Sequence, residues 1–159
     1  MTTLARRLRA AFVAAAAAWA ALIVLAAFLA SRPHLSAPAS ALIAGVYAIG
    51  SLVCHQLPQR SFHPWTAPMP VCARCTGIYF GAVAGAVFAL RASPASALRA
   101  SVRQARAILA LAAIPTALTL IYEWATGDMP SHAIRAAAGA VIGIAVAWLV
   151  VAAAKNQVN

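Results

Sequence analysis

Residues 11–30 read AFVAAAAAWAALIVLAAFLA, twenty positions without one charge. A helix needs about 20 apolar residues to cross the hydrocarbon core of a bilayer. Three more stretches qualify, at 71–90, 108–125 and 132–154, and a shorter one lies at 39–53. Charged residues make up only 9% of the chain, against roughly 25% in a soluble domain. The pattern predicts one all-α membrane domain over residues 1–159, a multi-pass bundle of four or five spans. A Cys/His-containing loop sits at one membrane face.

The charge is lopsided: twelve Lys and Arg against two acids. These bases flank apolar runs instead of forming a soluble basic face. They point to anionic lipid head groups, at about 1 kcal/mol per basic residue near the surface, and not to nucleic acid. Within the basic stretch 91–106, Arg99, Arg103 and Arg106 recur at one helical face. The stretch reads as an interfacial amphipathic helix or a solvated basic loop. Residues 11–30, behind Arg6, Arg7 and Arg9, resemble a signal peptide but are long for one and lack a clean cleavage site. A retained first span is expected.

Five spans would put the amino terminus, the Cys loop and the 4–5 turn on one side. Arg6, Arg7, Arg9, Arg60, Arg74 and Arg135 then face Arg32, Arg91, Arg99, Arg103, Arg106 and Lys155. That six-to-six split gives no orientation under the positive-inside rule. Gly77, Gly81 and Gly85, with Gly139 and Gly143, form GxxxG patterns in the third and fifth spans. Such small residues pack membrane helices closely, so both spans should lie against neighbours, leaving room for a protein partner or a homo-oligomer.

All three cysteines fall in residues 54–79, CHQLPQRSFHPWTAPMPVCARCTGIY. Cys72 and Cys75 form a C-x2-C at the start of the third span, where the positive helix end favours thiolate. Cys54 and His55 end the preceding apolar stretch. Cys54, His55, Cys72 and Cys75 make a Cys3His set suited to zinc, with His63 as a spare ligand. Two alternatives stay open: a redox dithiol, or cysteines serving as small packing residues.

The second polar group is Glu123 in the fourth span, with Arg135 as its natural partner and His132 and Arg74 nearby. An ionisable residue in a span is costly and is usually paired or functional. Topology puts the 4–5 turn on the Cys-loop side, so the two groups can share one site. Function then divides into metal binding, a membrane thiol oxidoreductase or lipid-modifying enzyme, and a small transporter or channel subunit using Glu123 and Arg135.

CHQ at 54–56, RSF at 60–62 and PVCARCTGIYFG at 70–81 resemble an uncharacterised family of small prokaryotic integral-membrane proteins, a domain of unknown function. The resemblance covers roughly residues 39–154. Pro115, Ser131, Arg135, Gly139 and Gly143 fit its later pattern, whereas His132 stands where Asn is usual. It implies a multi-pass protein of a prokaryotic cell membrane and supplies no reaction.

Overall fold

The computed structural model describes residues 3–91 and 102–156. It is all-helical, with α1 Thr3–Ala30, α2 Ala37–Val53, α3 Ala73–Arg91, α4 Val102–Thr126 and α5 His132–Asn156. A 3₁₀ turn, Pro58–Arg60, interrupts the loop between α2 and α3. Among the described residues the only β pairing is an isolated bridge between Ser61 and Cys72. Helices α1, α3, α4 and α5 are long and apolar enough to cross a membrane.

At 17 residues, α2 is shorter. Its length of about 25 Å falls short of a roughly 30 Å core. Its surroundings also show that it does not run from one end of the bundle to the other. Six residues separate it from α1, and it is capped by Cys54, whose sulfur accepts a hydrogen bond from the Cys72 N–H at 3.2 Å. Ser31, just past α1, accepts the Ala67 N–H at 3.2 Å, and the Phe28 and Trp65 rings meet edge-on at 5.1 Å. Both ends of α2 therefore lie at the face that carries the Cys loop.

This arrangement reverses α1 relative to the five-span expectation. Ile23, Ala26 and Ala27 of α1 pack with Cys54, Met69 and Val71. Near its other end, Phe12 and Val13 pack with Ala86, Ala89, Ala147 and Val151. Helix α1 runs antiparallel to α3, and its amino-terminal end lies opposite the Cys loop. Hydropathy reports that a stretch is apolar but not its direction, so it could not distinguish a short interfacial helix from a short span.

Helices α3 and α5 are joined by their glycines. A Cβ at Gly77, Gly81 or Gly85 would strike the backbone of Ala136, Ala140 or Ile144. A Cβ at Gly139 or Gly143 would strike that of Arg74 or Ile78. The constant offset in each set makes the two helices parallel, with both amino-terminal ends at the Cys-loop face. Without a hydrophobic drive between helices in lipid, close backbone approach supplies the packing. Helix α4 is far less covered: Leu111, Leu118, Ile121 and Trp124 are exposed, the surface of a lipid-facing helix. Arg103 and Arg106 lie in its first turns, exposed, while Arg99 is outside the described residues.

A candidate thiol and ion-pair site

Three local features bring the cysteines together. Helix α2 ends with the Cys54 N–H bonded to Gly50 O, and Cys54 itself is extended. Gln56 then turns the chain at φ 49°, a left-handed conformation uncommon outside glycine. Its side-chain amide holds the turn by donating to Tyr47 O at 2.7 Å and Pro70 O at 2.6 Å. Gly50 makes room, since a Cβ there would sit 2.6 Å from the Gln56 amide nitrogen. The Ser61–Cys72 bridge and the Met69 N–H bond to Phe62 O then fold the loop back onto the start of α3.

Cys72 stands immediately before α3, and its carbonyl accepts the Thr76 N–H at 2.9 Å and the Thr76 hydroxyl at 3.2 Å. Cys75 lies in the first turn. The sulfurs of Cys54, Cys72 and Cys75 all lie within 4.8 Å of one another. Zinc–sulfur bonds of about 2.3 Å in a tetrahedron put sulfurs about 3.8 Å apart, so a metal would need to draw the group in by roughly 1 Å at most. A hydrogen bond from the Cys75 thiol holds the Cys72 thiol down at about 5, against the opposing effect of burial. Cys54 is buried and the other two are half-buried, all three unbridged.

The expected fourth ligand is not within this sulfur group. His55 is exposed and lines the same cavity as the thiols. His63 is turned elsewhere: its Nδ1 lies 3.1 Å from Ser61 O, and it lines a separate cavity of about 550 Å³ together with Trp65 and His132. His132 Nε2 approaches Gln59 O at 3.1 Å and its ring lies 5.5 Å from that of Phe62, so it meets the loop and not Glu123.

Glu123 gathers more cations than the sequence suggested. Its Oε1 accepts a hydrogen bond from Arg74 at 2.9 Å and lies 3.2 Å from Arg135 Nε, close enough to pair but out of line for a hydrogen bond. Its Oε2 faces Arg60 at 3.8 Å. Arg74 also donates to Thr119 Oγ1 at 3.1 Å, and Arg135 donates to Arg60 O at 3.4 Å. Arg135 is only 1% exposed. Arg60, in the 3₁₀ turn, is the partner that helix pairing alone missed; its position in the RSF motif was the available signal. A cavity of about 360 Å³ is lined by all three cysteines together with Arg60, Arg74 and Arg135. The thiols and the three guanidiniums thus line one cavity.

A relative from the archaeon Methanocaldococcus jannaschii, described only as an uncharacterized protein, is 55% identical over 42 residues. That match spans 26% of this chain and 27% of the relative. No solved structure matches. The model of a family described as a predicted membrane protein, a domain of unknown function numbered 2085, matches residues 54–149, which runs from the first cysteine to near the end of α5. The chain belongs to this family of membrane proteins.

Proposed function

We propose that this is an integral membrane metal-binding protein in which Cys54, Cys72 and Cys75 hold one soft divalent ion, zinc foremost. The observation that carries the reading is the approach of three sulfurs to within 4.8 Å of one another. Thiolates select zinc and other soft ions over magnesium or calcium. Three protein ligands leave one position open toward the cavity, as catalytic zinc sites do. His55, on that cavity's rim, is available to fill it.

The same reading includes an orientation in the cell membrane. Arg6, Arg7, Arg9, Arg91, Arg103, Arg106 and Lys155 belong to the ends of the spans remote from the thiols. Arg32, Arg60, Arg74 and Arg135 belong to the thiol face, and the last three surround Glu123. The positive-inside rule then puts the thiol face away from the cytoplasm. A second reading draws on the same arrangement. Two sulfurs spaced C-x2-C at a helix start, on a non-cytoplasmic face, suit a dithiol couple with Cys54 as a third participant.

Metal content decides between them. Protein purified in detergent without a metal-affinity tag should carry about one zinc per chain. Cys54→Ser, Cys72→Ser and Cys75→Ser should each lose it. A folded wild type with three free thiols and no metal would refute the metal reading. Reversible loss of two thiols under mild oxidant in that same protein would establish the dithiol.

A further inference from the structure

The cavity beside the thiols is over-supplied with positive charge. Three guanidiniums converge on one carboxylate, leaving two charges uncompensated. The chain's only other acid, Asp128, is exposed in the turn after α4. Zinc held by three thiolates would remove one of the two surplus charges, so the wall stays cationic with the metal or without it. Donors are also in surplus. Arg74 Nε is buried without a hydrogen-bond partner. Arg60, the least buried of the three at 41% side-chain exposure, reaches Glu123 only at 3.8 Å.

Leaving cationic charge uncompensated at a membrane face is costly, and a cluster of this kind calls for a further anionic counterpart. Guanidiniums arranged around a cavity suit a tetrahedral oxyanion, since each offers a planar fork of donors to phosphate oxygens. We propose that this cavity binds a phosphate-type oxyanion, a monoester or diester, held by Arg60, Arg74 and Arg135 over Glu123. At about 360 Å³ the cavity admits the phosphate and a small substituent. Val53 and Leu57 on its wall, and Leu52 beside them, are exposed and apolar, as suits a site at head-group depth. The oxyanion has two sources, a lipid head group or a soluble phosphate. The proposal stands apart from the metal reading, because its ligands are the arginines and not the sulfurs.

The test uses the full chain in detergent, titrated calorimetrically with inorganic phosphate and, separately, with dihexanoyl phosphatidylglycerol. Dihexanoyl phosphatidylcholine is the neutral control. Saturable binding of either anionic probe is expected, weakened roughly tenfold or more in Arg60→Gln and in Arg74→Gln, the range for losing a charged hydrogen bond. Preference for inorganic phosphate would identify a soluble ligand, and preference for phosphatidylglycerol a head group; both support the site. Arg60→Gln, at the exposed member, should keep the fold and the metal content of the wild type. Affinity for the anion should also survive chelator treatment. The proposal is overturned if neither anionic probe binds above the control, if both variants bind as the wild type does, or if chelation abolishes binding. The last result would make the metal itself the anion's ligand.

Discussion

A single methyl group at Gly77 should loosen both the bundle and the site. A Cβ there would meet the Ala136 carbonyl and lie 2.8 Å from the Ala136 Cα. Carbon atoms rest about 3.5–4.0 Å apart, so α3 and α5 must part by about 1 Å at that level. Arg74 hangs from the first turn of α3 and Arg135 from the first turn of α5, with Glu123 of α4 between them at 2.9 and 3.2 Å. Parting the two helices by about 1 Å lengthens one or both of these contacts and weakens the pairing. Overpacking of this kind costs about 1–3 kcal/mol, and the weakened ion contacts add to it. Gly45, in α2, supplies the control, because a Cβ there meets nothing within 4 Å. Glycine to alanine in a helix gains about 1 kcal/mol of propensity, and both variants share that gain. The difference between Gly77→Ala and Gly45→Ala therefore isolates the clash. Thermal unfolding in detergent, followed by circular dichroism, should rank Gly45→Ala at or above the wild type and Gly77→Ala clearly below it. Equal midpoints for the two variants would refute the close α3–α5 packing and the claim that it sets the site.

Four further outcomes are expected. Glu123→Gln leaves Arg135 buried without its counter-charge and should destabilise by about 3–5 kcal/mol, with inorganic phosphate raising its unfolding midpoint more than that of the wild type; a midpoint equal to the wild type's would show the ion cluster to be idle. His55→Ala should retain about one zinc per chain, because His55 lies outside the three-sulfur group, and metal loss would instead make it a ligand. Reporters fused at the amino and carboxyl ends should both read cytoplasmic, since α1 begins and α5 finishes at the end remote from the thiols; opposite readings would restore the five-span topology. In metal-free protein, alkylation of Cys72 should stay nearly constant from pH 8 to pH 6 and fall as pH drops through about 5, because the Cys75 hydrogen bond keeps Cys72 a thiolate above that value. A mid-point near that of an ordinary thiol, about 8.5, would contradict the geometry.

The long apolar stretches were legible because a bilayer imposes a length and forbids charge, and both constraints act on sequence directly. The glycine spacing was legible for a similar reason: at every fourth residue it marks one helical stripe. Its partners were not, because a pattern on one helix does not say which neighbour it meets. Nor did it reveal that Gly139 and Gly143 reciprocate against Arg74 and Ile78. The cysteines were grouped correctly in space by their position at helix ends. His55 directly follows Cys54, yet the extended backbone at Cys54 and the left-handed turn at Gln56 leave it exposed. No local pattern predicts that turn, because Gln56 is held by oxygens of Tyr47 and Pro70, one nine residues before it and the other fourteen after.

The direction of α1 carries the largest consequence of what the sequence left open. With five crossings, Arg6, Arg7 and Arg9 cancel the basic residues of the far side, and orientation is undetermined. Laying α2 along the thiol face moves those three arginines across the membrane and moves Arg32 the other way. Most of the basic residues then gather at the end remote from the thiols. Those that remain at the thiol face, apart from Arg32, surround Glu123. On the proposed orientation, orienting charge and the charge around Glu123 are thereby separated. The arginines around Glu123 line the cavity that the three sulfurs also line, so thiols and guanidiniums converge on one opening.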